Sequence, residues 1–108
     1  QCTAIRHYID THYKEPLSLD DLARETHINK FYLAHAFKEE YGVSPINYML
    51  SRRIQESRYL LRETNMSMSQ IARVLGFSSA SYFSQSFRRA EGISPIEYRK
   101  IQSGSADS

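Results

Sequence analysis

The sequence predicts an all-α fold of two helix-turn-helix subdomains joined by a long central helix, about seven helices in all. Three observations predict it. The chain repeats itself at an interval of about fifty residues. Apolar residues recur every three or four positions, and no segment alternates convincingly at period two. Serine, proline and glycine stand where helices are expected to start and stop.

The repeat is read first, because it organises everything else. Ser18-Leu19-Asp20-Asp21-Leu22-Ala23-Arg24 returns as Ser67-Met68-Ser69-Gln70-Ile71-Ala72-Arg73, at an offset of 49. Tyr32-Leu33, Phe37-Lys38 and Gly42-Val43-Ser44-Pro45-Ile46-Asn47-Tyr48 return as Tyr82-Phe83, Phe87-Arg88 and Gly92-Ile93-Ser94-Pro95-Ile96-Glu97-Tyr98, at an offset of 50. One residue is therefore inserted between the two matches, around Ser78 to Ala80. Turns accept such insertions and packed helix interiors do not.

The elements follow in order. Ile5, Tyr8, Ile9, His12 and Tyr13 form a first helical stripe, ended by Pro16. Ser18 and Asp21 have capping-box spacing for a short second helix that turns Leu19, Leu22 and Ala23 inward. His27 then takes the turn position that favours positive φ, where Gly76 stands in the second half. A third helix starts at Asn29, lines Leu33, Ala36, Phe37 and Tyr41 along one side and ends at Gly42. Ser44-Pro45 starts the connecting helix with an N-cap hydroxyl followed by a proline at the first helical position. That helix, about Pro45 to Arg62 and ~26 Å long, carries Ile46, Leu50, Ile54, Ser57 and Leu61, with Met49, Arg53 and Leu60 beside them. Arg53 falls on this apolar side, so pairing with a carboxylate or a helix C-terminus is expected. Arg52, Arg58 and Arg89 are assigned no more than a solvated face.

Ser67 and Gln70 cap the fifth helix, with Met68, Ile71, Ala72 and Leu75 inward. Phe83, Phe87 and Ala90 line the sixth, which ends at Gly92. Ser94-Pro95, with Glu97 completing a box, opens a seventh helix at Ile96 and Tyr98. The expected organisation is a first subdomain over 1–45, a linker helix over 46–63, a second subdomain over 64–102 and a disordered tail over 103–108.

Composition narrows the function. Hydrophobic residues make up 41% of 108, enough for a core and against disorder. No apolar run approaches the ~20 residues of a membrane span. The chain opens on Gln1 rather than Met and shows no secretory signal, so an upstream domain is expected. A single cysteine, Cys2, fits a reducing cytoplasm. His7 and His12 are five apart, off the spacing that lets two imidazoles share a metal, and Cys2 is isolated. The serines cluster at caps with no histidine base in register, and no Gly-rich phosphate loop is present. No enzyme, metal or cofactor is expected.

Charge is +2 overall, a weak signal. Its distribution says more. From Met66 to Lys100 five bases (Arg73, Arg88, Arg89, Arg99, Lys100) face two acids (Glu91, Glu97), for a net +3, while the first half is close to neutral.

A helix-turn-helix lays its second helix in the DNA major groove while the first braces it across the backbone. Ala23 and Ala72 are the small residues expected at the two elbows. With Leu33 and Phe37 inward, the outward stripe of the third helix carries Phe31, Ala34, His35 and Lys38, after Asn29 and Lys30 at its start. The matching stripe of the sixth is Ser81, Ser84, Gln85 and Arg88, with Ser78, Ser79 and Ala80 at the start. Gln reads adenine, Arg reads guanine or neutralises phosphate, and apolar groups press on thymine methyls. The helix starts at Asn29 and Ser78 offer backbone N–H groups to phosphates. Double-stranded DNA is the expected partner, with one reading helix in each of two adjacent major grooves. The alternative is a helix-turn-helix module that docks proteins, since fold does not fix function.

The second half carries the sharpest motif: Ile71-Ala72-Arg73-Val74-Leu75-Gly76-Phe77, Ser81-Tyr82-Phe83-Ser84, Phe87-Arg88, then Gly92-Ile93-Ser94-Pro95-Ile96-Glu97-Tyr98-Arg99. With Tyr48, Arg53, Ile54, Leu60 and Leu61 in the middle, it resembles the DNA-binding domain of the AraC/XylS family of bacterial transcription regulators, over about Ile5 to Lys100. The resemblance implies a seven-helix, two-lobed fold and transcription activation through contact with RNA polymerase. It implies an upstream sensing or dimerisation domain and a place in the cytoplasm, on the nucleoid. It carries DNA contacts to Phe31, Ala34, His35 and Lys38, and to Ser79, Ala80, Ser81, Ser84, Gln85 and Arg88. Members often have Arg where His35 and Gln85 stand, and Gly where His27 stands.

Overall fold

A computed structural model describes residues 2–107, with side chains described through Gly104. The element order is α1 (Cys2–His12), α2 (Leu19–Thr26), α3 (Lys30–Tyr41), α4 (Pro45–Glu63), α5 (Met68–Leu75), α6 (Ala80–Glu91) and α7 (Pro95–Asp107). The described residues hold no strand, as the periodicity requires. Two compact units result, Gln1–Arg52 and Arg53–Ser108, so α4 gives its first eight residues to one and the remainder to the other.

In the first unit Ile5 and Ile9 of α1, Leu22 of α2, Leu33 and Phe37 of α3 and Met49 of α4 form the buried core. Each pair recurs at a spacing of three or four, the stripe that brings one helical face inward. Tyr48 meets the Phe37 ring edge-on at 5.7 Å. Its hydroxyl donates to Asp10 at 2.6 Å, and Arg52 Nε donates to the same carboxylate oxygen at 3.0 Å. Arg52 also lies over the Tyr13 ring, so it is engaged rather than solvated.

In the second unit Ile54 and Leu61 of α4, Ile71, Ala72 and Leu75 of α5, Phe77, and Phe83 and Phe87 of α6 are buried. Tyr98 meets Phe87 edge-on at 5.4 Å, the counterpart of Tyr48 on Phe37. Arg53, only 4% exposed, lies over the Phe77 ring at 5.5 Å, and burial lowers its pKa. The Phe77 ring thus gives the buried guanidinium an aromatic face to lie on. Buried Ser57 donates to the Ile54 carbonyl at 2.6 Å, which satisfies its hydroxyl inside its own helix. Arg58, expected to be solvated, pairs with Glu91 at 2.7 Å.

Three details differ from the sequence expectations. Ala90 is exposed, because the buried stripe of α6 runs Phe83, Phe87 and then half-buried Glu91, in steps of four. Ile96 is 53% exposed, because α7 turns Pro95, Tyr98 and Arg99 inward. The helical backbone of α7 continues through Ser103 and Gly104 to Asp107, across most of the stretch expected as a disordered tail. No proline interrupts it after Pro95, and Ser108 lies outside the described residues.

Candidate nucleic-acid interface

Each unit builds its site from a short capped helix, a left-handed turn and a longer helix. At Ser18 and Ser67 the capping boxes are complete: each hydroxyl accepts from the backbone N–H of Asp21 or Gln70, whose side chain accepts from the serine N–H. After α2 the chain turns at His27, with φ 58°, and after α5 at Gly76, with φ 88°. The turn is closed by Ile28 N–H donating to Ala23 O at 3.2 Å and by Phe77 N–H donating to Ala72 O at 2.9 Å. These bonds satisfy helix-end carbonyls and bring the small Ala23 and Ala72 to the elbows.

The two turns differ by one residue. His27 and Gly76 are 49 apart, while the N-caps Asn29 and Ser79 are 50 apart. Ile28 and Phe77 correspond, so the inserted residue is Ser78. It lies in the turn, and Ser79, not Ser78, caps α6, with its hydroxyl accepting from Tyr82 N–H at 3.0 Å. In the first unit the Asn29 side chain accepts from both Phe31 and Tyr32 N–H groups. Asn29 therefore holds two of the N–H groups that were expected to meet phosphate.

On α3, the exposed side carries Phe31 (76% exposed), His35 and Lys38, with Ala34 half-buried beside them. Leu33 and Phe37 face the core, so helical geometry puts His35 opposite it. Lys30 is half-buried and ion-paired with Asp20 at 3.0 Å, while lying over the Phe31 ring. On α6, Ser81, Gln85 and Arg88 are exposed, Ala80 and Ser84 are half-buried, and Ser78 and Ser79 are exposed ahead of the helix. Phe31, His35 and Lys38 thus share an exposed side of α3, and Ser81, Gln85 and Arg88 an exposed side of α6, while Lys30, Ala34, Ala80 and Ser84 are half-buried.

The two faces differ electrically. α2 and α3 together carry three bases and five acids, net −2, whereas α5 and α6 carry three bases and one acid, net +2. Sequence reasoning missed two features of these faces. Arg73 of α5 borders a recess of about 270 Å³ with Ser69, Phe77, Ser78, Ser79 and Ala80, at the start of α6. Its signal was the repeated pair Arg24 and Arg73. On α3, Glu39 pairs with His35, Nε2 to Oε2, at 3.1 Å.

A short capped helix, a left-handed elbow and an exposed second helix, found twice, define a tandem helix-turn-helix domain. A helix-turn-helix domain family profile matches residues 22–101. The chain belongs to this family in its AraC type, the DNA-binding domains of transcriptional regulators. The HTH-type transcriptional regulator YisR of Bacillus subtilis is 41% identical over 89% of this chain and 33% of its own length. The chain spans about a third of the length of the curated relatives it matches. Among solved structures, the C-terminal domain of AraT, a response regulator from Geobacillus stearothermophilus, superposes with a TM-score of 0.89 at 31% identity, covering 93% of this chain and 84% of that one. The DNA-binding domain of AdpA, solved with a target DNA, shares the fold at a TM-score of 0.86 and 23% identity, over 93% of this chain and 90% of that one. No described helix is long and apolar enough to cross a membrane.

Proposed function

We propose that the chain is the sequence-specific, double-stranded-DNA-binding output domain of a bacterial AraC-type transcription activator, with α3 and α6 each entering one of two adjacent major grooves. The observation that carries this reading is the exposure of hydrogen-bonding and cationic side chains on the sides of α3 and α6 opposite their core residues. Gln85 offers a bidentate amide to adenine, Arg88 a cation to phosphate or guanine, and Phe31 and Ala34 an apolar surface to thymine methyls. Ser79, Ser81 and Ser84 offer hydroxyls to base edges or phosphates. Asn29, Lys30, Ser78 and Ala80 flank the helix starts, and Lys38 and His35 complete the face of α3. AdpA, a relative in fold, was captured on DNA.

Family membership supports a wider reading. The domain works by binding and not by catalysis. It acts in the bacterial cytoplasm, on the nucleoid, with RNA polymerase as partner and an upstream sensing or dimerisation domain supplying control. The test is a salt titration of binding to a duplex selected from a random pool. Affinity is expected to fall steeply between ~50 and 200 mM salt, with a log–log slope that reports several released counterions. A chain that selects no duplex, or binds without salt dependence, is instead a protein-docking adaptor.

A further inference from the structure

Glu39 is an acid on a face read above as meeting a polyanion. Successive residues of a helix are turned by about 100°, which puts Glu39 within one step of four from His35, the residue opposite the Leu33 and Phe37 core side. Its side chain is 75% exposed and that of His35 is 79% exposed, with Nε2 and Oε2 3.1 Å apart. In the second unit the matching positions are Gln85 and Arg89, so the repeat places a cation where the first unit has this carboxylate. We propose that Glu39 is a specificity-determining residue of α3, which accepts a hydrogen bond from a base-edge amine, cytosine N4 first, and turns away duplexes that lack one there.

The chemistry has two parts. A carboxylate near phosphates is repelled on every sequence, and the repulsion is offset only where a donor meets it. In the major groove that donor is an exocyclic amine, and a Glu accepting from cytosine N4 is a recognised pairing. The His35 imidazole stands beside Oε2, and Oε1 is the atom offered to the base. The net −2 of α2 and α3 fits the same division of labour. The second unit supplies attraction and the first supplies discrimination.

This inference rests on the DNA-binding reading. It is tested by fluorescence anisotropy on the selected duplex and on a scrambled duplex of equal length, with Glu39→Gln, Glu40→Gln and Arg88→Ala measured side by side. Glu40 is exposed on the same helix but turned away from the His35 side, so its variant makes the same change in net charge off the face. Glu39→Gln is expected to tighten the scrambled duplex about fivefold and to leave the selected one within about twofold. Glu40→Gln is expected to move both duplexes by less than about twofold. A Glu39→Gln variant that shifts both duplexes equally, or neither, overturns the assignment. If Arg88→Ala weakens binding in that case, only the role of Glu39 falls. If Arg88→Ala is also silent, the DNA reading falls with it. Glu39 is exposed, so an unchanged melting temperature is expected and separates these effects from misfolding.

Discussion

Arg99 of α7 donates through Nε to the carbonyl of Leu61, in the last turn of α4, at 3.1 Å. Its other nitrogens donate to the carbonyls of Met66 at 2.7 Å and Thr64 at 3.2 Å. Helix C-termini leave carbonyls without partners inside the helix, and a planar guanidinium reaches several at once. Arg99→Ala is therefore expected to lower the stability of the second unit by about 2–3 kcal/mol. Arg99→Lys, with a single point charge, should recover less than half of it. Urea unfolding measures both. A stable Arg99→Ala variant whose DNA-binding salt slope falls by about 1 would make Arg99 a phosphate contact instead.

The two elbows carry the same left-handed backbone with different residues, His27 at φ 58° and Gly76 at φ 88°. A side chain there costs about 1–2 kcal/mol, which glycine avoids. Gly76→Ala should lower stability by about 1 kcal/mol or more, while His27→Gly should raise it by up to about 1 kcal/mol. Thermal unfolding of the two variants checks the signs, and a destabilised His27→Gly would mean that the imidazole makes compensating contacts.

Two cap carboxylates, half-buried Asp21 and exposed Glu97, set an acid dependence. Asp21 is held below its ordinary pKa first by the Ser18 backbone N–H and then by Arg24. Glu97 is held down first by the Ser94 backbone N–H. Carboxylates whose pKa is lower in the folded chain stabilise it above their unfolded pKa. That contribution disappears as pH drops through the folded value, here below the usual carboxylate range of about 4. Urea midpoints at neutral and at acid pH should differ less in Asp21→Asn/Glu97→Gln than in the parent chain. An equal difference would assign the acid dependence to other groups.

Gln85 and Arg88 stand one turn apart on α6, both exposed, and should fail differently. Gln85→Ala is expected to cost about 1–3 kcal/mol at one base position and little elsewhere. Arg88→Ala is expected to weaken all duplexes alike and to lower the salt slope by about 1. Competition with single-base variants of the selected duplex separates the two. Uniform loss from Gln85→Ala would turn it into a phosphate contact.

Much of this structure was legible before any coordinates. The capping boxes at Ser18 and Ser67, the Ser-Pro starts and the glycine ends are signals that act within four residues, so a linear reading finds them. The repeat then doubled each inference, and Tyr98 on Phe87 mirrors Tyr48 on Phe37. What escaped was long-range or finely balanced. The three carbonyls that hold Arg99 lie 33 to 38 residues away. Arg53 over Phe77 depends on a turn folding back on α4. Ser78 and Ser79 are equivalent as N-caps until the inserted residue is located. Ala90 and Ile96 were misplaced by one helical step, the error that a short apolar stripe allows. On α3, Glu39 is an acid on a face expected to meet a polyanion, so its charge alone points away from a role there.

The most direct test of the central claim is a hydroxyl-radical footprint of the chain on its selected duplex. Two patches of protection, about 10–10.5 base pairs apart and within roughly 20 base pairs, are the expected result, one for each reading helix. A single patch, unaltered when Phe31, His35 and Lys38 of α3 are replaced by alanine, would contradict it.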